Sequence, residues 1–184
     1  MRSERRRQNS LRLPAYDYAR PGSYFVTICV ADRMPRFGEV DDGIVRMNDA
    51  GRIIDDQWRM LPDRFPHVAH DAYVIMPNHL HGILAINTTD VKGNQTLSSV
   101  IQAFKSLTTR AYSAGVTSSG WPEFDGRLWQ RSYYDHVIRD QRDMERVRAY
   151  IADNPGRWFE DQEYHAWQHT LARHAGAPNH EQTR

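Results

Sequence analysis

The hydrophobic positions of this chain change period several times, and each change predicts an element. Residues 23 to 30 (Ser-Tyr-Phe-Val-Thr-Ile-Cys-Val) are dense in β-branched and aromatic side chains. They predict a first strand after the turn signal Pro21-Gly22. Residues 31 to 47 hold Pro35, Gly38 and Asp41-Asp42-Gly43, which predicts a loop with a short hairpin, Phe37 to Val40 facing Ile44 to Met47. Ile53, Ile54, Trp58 and Leu61 then fall on one helical face, with Asn48 or Asp49 as the cap and Pro62 as the stop. Ala72 to Met76 predicts a second strand, and Pro77-Asn78 turns it into a third, His79 to Ile86. A polar loop follows over 87–95.

The helical period returns from Thr96 to Ala114, with Leu97, Val100, Ile101, Phe104 and Leu107 on one face. Ser113 to Arg127 is rich in Gly and Ser and predicts a mobile connection. Leu128 to Ile138 predicts a fourth strand. Asp140 caps a helix over Gln141 to Asp153, which ends at Asn154-Pro155-Gly156; a further helical stretch, 157–173, precedes a polar tail predicted to be disordered. Strand, helix, strand, strand, helix, strand, helix is the order of the split βαβ, or ferredoxin-like, arrangement. The fold class is therefore α+β: a four-stranded antiparallel sheet with two helices on one face and the last core helix across the other. In that topology the third strand is central.

Composition adds an asymmetry. The 184 residues, 40% of them hydrophobic, predict one domain with a real core. The net charge is only +1, yet Arg2, Arg5, Arg6, Arg7, Arg12 and Arg20 crowd the first twenty positions. A basic arm over 1–22 on a neutral body suits a phosphate backbone, and arginine forks suit phosphates and bases; a solvated terminus is the plain alternative. Cys29 is the only cysteine, which excludes a disulfide framework and fits a reducing cytoplasm. No apolar run follows the basic start, and the longest, Tyr24 to Ala31, is too short to span a bilayer. The expected location is the cytoplasm, with no membrane partner.

Candidate chemistry centres on Met76-Pro77-Asn78-His79-Leu80-His81-Gly82. On a strand His79 and His81 point to one face, about 7 Å apart along it, and can converge on one cation. The bland alternative is a pair of ordinary sheet histidines. On the last core helix Met144, Val147 and Ile151 mark a buried stripe, and Tyr150 and Asn154 share a face at its edge. With that stripe on the open sheet face, Asn154 offers a carbonyl oxygen to a hard cation and Tyr150 a phenol oxygen. A tyrosine beside an apolar stripe is also an ordinary core aromatic, and an Asn before Pro-Gly an ordinary helix stop. Tyr133 and Tyr134 are rival nucleophiles, of which only one can face the metal.

Three stretches in order, Met76 to Gly82, Trp129-Gln130-Arg131-Ser132-Tyr133-Tyr134-Asp135-His136-Val137-Ile138-Arg139, and Tyr150-Ile151-Ala152-Asp153-Asn154-Pro155, resemble the IS200-type Y1 transposases of the HUH superfamily. The REP-associated tyrosine transposases are the nearest branch, through Tyr16-Asp17-Tyr18 and Pro21 to Thr27 as well. The resemblance covers about residues 11 to 158. It implies that His79 and His81 bind Mg²⁺ or Mn²⁺, that Tyr150 is the nucleophile, and that Asn154 completes the metal site where many relatives carry Gln. It places Tyr133 and Tyr134 outside the nucleophile position.

The function so implied is metal-dependent nicking and joining of single-stranded DNA at REP-like hairpins, through a 5′-phosphotyrosine intermediate. Hairpin contacts are expected from Arg5, Arg6, Arg7 and Arg12, and from Lys105, Arg110 and Arg131. The implied division is a basic arm (1–22), a Y1 domain (23–158), and a C-terminal helix with its tail (159–184). A monomer is favoured, bacterial and associated with the nucleoid through DNA, and no small-molecule substrate is expected. A second reading keeps fold and DNA but not the chemistry, as a regulator. A third uses water as the nucleophile, as a metal-dependent phosphodiesterase.

Overall fold

The computed structural model describes residues 21–87 and 96–175, the last six of them by backbone alone. The basic arm with Arg5, Arg6, Arg7 and Arg12, the 88–95 loop and the polar tail lie outside the described residues. Strand β1 (Gly22–Cys29) is followed by a hairpin, β2 (Gly38–Asp41) and β3 (Ile44–Met47), then α1 (Asp49–Arg59) and a short α2 (Leu61–Arg64). Strands β4 (Val68–Ile75) and β5 (His79–Ile86) precede the long α3 (Leu97–Ser119). Strand β6 (Tyr134–Ile138), α4 (Gln141–Asp153), a 3₁₀ segment (Pro155–Glu160) and α5 (Gln162–Ala175) complete the chain.

The four long strands form one sheet in the order β4-β5-β1-β6, all antiparallel, as the ferredoxin-like order requires. β5 is central. Alternation along β1 sorts the two faces. Tyr24, Val26 and Ile28 are buried against α1 and α3, in one core with Trp58, Val100, Ile101 and Phe104. Phe25 points the other way, into a smaller cluster with Ile83 and, from α4, Val147 and Ile151. Helix α4 therefore lies across the second face of its own chain's sheet.

Local chemistry explains the boundaries. Asn48 Oδ1 accepts the Gly51 N–H (2.9 Å) and starts α1. The helix stops at Arg59; Pro62 does not end it but sits in the first turn of α2, where a missing N–H costs nothing. Asp140 accepts the Asp143 N–H (2.8 Å), so α4 starts and ends where the sequence predicts. Gly82 has no side chain because the Trp58 ring occupies that space: a Cβ there would lie 2.4 Å from it.

Four expectations need correction. β4 begins at Val68, not Ala72, because a register shift between His70 and Tyr73 interrupts the alternation that marks a strand. Helix α3 runs five residues past Ala114, and the stretch after Ser113 is packed rather than a mobile connection. Gly115 lies under the Trp121 ring, Tyr112 stacks edge-on to Trp121 and Phe124, and Gly120 (φ 67°) closes the helix by donating to the Gly115 carbonyl. Residues 128–133 are not strand: they run beside β1 through a single bridge, Val30 to Trp129, and are fixed by side chains, Trp129 Nε1 to Thr108 Oγ1 (2.8 Å) and Lys105 Nζ to the Gln130 and Ser132 carbonyls. The helix expected over 157–173 is split, since Pro155 starts a 3₁₀ turn and Asp161 breaks it before α5.

Candidate active site

His79 and His81 enter β5 from the Pro77-Asn78 turn and point together onto the α4 face. Their Nε2 atoms stand 3.0 Å apart. Both rings are buried, His79 fully. Burial pushes His79 down to about 3 and His81 well below the ordinary histidine range, so both are neutral at neutral pH.

Hydrogen bonds fix which nitrogen carries the proton. Asn78 donates its Nδ2 to the backbone carbonyls of Arg33 (2.8 Å) and Glu163 (3.1 Å). Carbonyls only accept, so the amide cannot be turned round, and Asn78 Oδ1 is left to accept from His79 Nδ1 at 2.9 Å. A neutral His79 with its proton on Nδ1 has a bare lone pair on Nε2. His81 Nδ1 lies 2.8 Å from Thr27 Oγ1, a hydroxyl that can accept in the same way. With both protons held at Nδ1, two bare Nε2 lone pairs face each other at 3.0 Å, an arrangement that calls for a cation between them.

Oxygen donors stand beside them. The Asp161 carboxylate lies within 4.8 Å of both histidine ligand atoms. It is aimed by the Glu163 N–H, which donates to its Oδ1 (2.6 Å). Asn154, at the end of α4, is buried with its Oδ1 lacking a hydrogen bond, a costly state for an amide oxygen. Adjacent vertices of an octahedron with bonds of about 2.1 Å are about 3.0 Å apart, which matches the observed nitrogen spacing. Two imidazoles, a carboxylate and an orphaned amide oxygen thus fit a divalent cation. Asp161 escapes sequence reasoning: it lies past Pro155, where no helical period ties it to the histidines.

Tyr150 projects from α4 into the same place. Its hydroxyl is 3.4 Å from His81 Nε2, and its ring meets Phe25 edge-on (5.8 Å, 88°). Burial first, and then the negative charge of Asp161, hold its phenol above the ordinary tyrosine value. The residue is nevertheless 42% exposed, because it forms one wall of an open cleft of about 890 Å³. Asp71 on β4 clamps Arg148 of α4 through two bonds (2.8 and 2.7 Å) and fixes the helix over the sheet.

The structure thus brings together His79, His81, Tyr150 and Asn154. It does not bring the other candidates to the cleft. Lys105 is engaged by two carbonyls and lies over the Tyr133 ring (5.5 Å). Arg110 is exposed on α3, on the far side of the sheet, and Arg131 is exposed before β6, between the cleft-lining Gln130 and Ser132. Of the rival tyrosines, Tyr133 is turned to Ser98 (3.2 Å), whereas Tyr134 lines the cleft.

Residues 66–154 match the family described as "Transposase IS200 like". An uncharacterised protein of Haemophilus influenzae (strain Rd) is 36% identical over 178 residues, covering 85% of this chain and 93% of the relative. Among solved structures, a REP-associated tyrosine transposase bound to a REP hairpin superposes with a TM-score of 0.55 at 19% identity, over 86% of this chain and 75% of the other. That likeness is one of fold.

Proposed function

The chain belongs to the IS200-like transposase family, and from that premise we propose that it cuts and rejoins single-stranded DNA through a covalent bond to Tyr150. One observation carries the reading: within a single chain, the Tyr150 hydroxyl stands 3.4 Å from a histidine nitrogen that is itself 3.0 Å from a second. In this reading His79, His81, Asp161 and Asn154 hold Mg²⁺ or Mn²⁺. When bound, the ion supplies Lewis-acid neutralisation of the charge on the scissile phosphate.

The residues of the chain do the rest. Tyr150 Oη attacks phosphorus and gives its proton to solvent in the open cleft. The new O–P bond forms as the bond to the 3′-oxygen breaks, and that oxygen leaves with a proton taken from water. The products are a 5′-phosphotyrosine and a free 3′-hydroxyl. A second 3′-hydroxyl reverses the step and joins the strand without ATP. Burial and the Asp161 charge keep the phenol protonated until a phosphate and a cation arrive, which limits stray reaction.

The substrate proposed is a REP-like hairpin with a single-stranded flank, since the structural neighbour holds such a hairpin. Lys105, Arg110, Arg131 and the N-terminal arginines remain candidates for the hairpin. Because α4 packs on its own sheet, a monomer suffices for the chemistry. The test is incubation of an end-labelled hairpin with the full chain and Mn²⁺, followed by a denaturing gel. The expected result is a covalent protein–DNA band that chelation prevents and that Tyr150→Phe abolishes while still binding DNA. A band that persists in Tyr150→Phe sinks the nucleophile. Cleaved ends without a band favour water as nucleophile, and binding without cleavage favours a regulator.

A further inference from the structure

The open face of the sheet carries a rank of side chains that the chemistry above does not use up. The ladder pairs His81 with Thr27, and Thr27 with Tyr134. Cross-strand partners share a face, so Tyr134 stands in the same rank as His81, two strands away, or about 10 Å. Only one of these two tyrosines touches the histidines, and it is Tyr150. Tyr134 is 42% exposed, with its ring edge-on to Phe25 (6.2 Å, 68°). Phe25 is buried and also stacks on His81 (5.5 Å, 26°). The Tyr134 ring is thus propped on the support that carries the histidine, with its hydroxyl end in the cleft.

The next rank continues the track. His136 pairs with Phe25, and its Nε2 donates to Asp143 (2.8 Å), whose other oxygen holds Arg146 (2.6 Å). His136 and Arg146 line both the main cleft and a second concavity of about 480 Å³, so the two are continuous. The second concavity also carries Arg139 and Arg142, which make no ion pair among the described residues. An exposed aromatic ring on a sheet, followed by a run of cationic groups, is the chemistry that takes a single nucleic-acid strand: bases stack on rings and phosphates meet arginines.

We propose that Tyr134 is a stacking platform for a base flanking the attacked phosphate, and that Arg146, Arg139 and Arg142 carry the phosphates that follow. The inference rests on the reading that the cleft takes single-stranded DNA, and it makes Tyr134 a positioning residue rather than a nucleophile. Stacking on one ring changes affinity by about ten-fold or more.

The test uses the full chain and a short thymidine oligonucleotide carrying one 2-aminopurine, whose fluorescence falls when it stacks. Wild type and Tyr134→Phe are expected to quench it and bind alike. Tyr134→Ala is expected to lose the quenching and about ten-fold in affinity, with an unchanged melting temperature. Replacing Arg139 and Arg142 together by Ala is expected to lower the slope of log K against log salt by roughly 1.4, about 0.7 for each phosphate released. Equal binding and quenching by Tyr134→Ala and wild type overturns the proposal. Loss of the covalent band in Tyr134→Phe, with the band kept in Tyr150→Phe, also overturns it, by making Tyr134 the nucleophile. If wild type binds no single strand, the functional reading itself fails and takes this one with it.

Discussion

Replacing Asp161 by Asn keeps an oxygen for the Glu163 N–H but removes the negative charge that faces His81 and Tyr150. Under the proposed assignment, Mn²⁺ affinity read by electron paramagnetic resonance falls on the order of ten-fold or more in Asp161→Asn. Asn154→Ala, which deletes a neutral donor, has a smaller effect. In metal-free protein the Tyr150 phenol of Asp161→Asn titrates lower than in wild type, because a charge that raises it is gone. Unchanged Mn²⁺ affinity in Asp161→Asn removes that residue from the site. Tyr150 and Asn154 are legible in the sequence because a helix repeats every 3.6 residues and fixes which positions share a face. Asp161 is not, because the 3₁₀ turn after Pro155 redirects the chain, and no local rule says where it lands. The matched family segment ends at Asn154, before Asp161.

Helix α4 carries the tyrosine, and carboxylates tie it at two places. Asp71 on β4 holds Arg148, and Asp143 in the first turn of α4 accepts from His136 of β6. Both carboxyls are held below the ordinary range, Asp71 chiefly by Arg148, and Asp143 chiefly by His136, down to about 2. A depressed carboxyl contributes stability that is complete above the unfolded value near 4 and is lost as pH falls toward the folded value. Melting curves from pH 5 to pH 2 are therefore expected to show wild type above an Asp71→Asn, Asp143→Asn double variant at pH 5, with the gap closing in acid. A gap that stays constant means that these ties do not titrate as described. The helix itself is legible from its Asp140 cap and apolar stripe. The segment 128–133 is not, because its aromatic, strand-like residues are held by Trp129 and Lys105 side chains rather than by a ladder. Local composition cannot distinguish those two ways of holding an extended chain.

At the scale of the whole molecule, the histidine strand and the tyrosine helix meet within one chain. A mixture of His79→Gln protein and Tyr150→Phe protein is therefore expected to give no covalent band, since neither contains a complete site. Recovery of the band on mixing requires α4 to be exchanged between copies and overturns the arrangement in cis. The topology is legible from element order alone, because few ways exist to fold strand, helix, strand, strand, helix, strand into one sheet. Among the described residues, no helix is long and apolar enough to cross a membrane. The contacts that close the site, Asn78 reaching Arg33 and Glu163, join segments 45 and 85 residues away and have no local signature.

Gly82 follows His81 directly, and a glycine beside such a pair invites description as a hinge. The Trp58 ring pressed against its backbone gives it the opposite character. At this point the sheet is only one residue thick between the cleft and the helical core. Selection for packing and selection for chemistry therefore act on adjacent positions of one strand. In a relative that carries a side chain at the position of Gly82, the position of Trp58 must carry a smaller residue. The two sites are bound to drift as a pair, although neither meets the DNA.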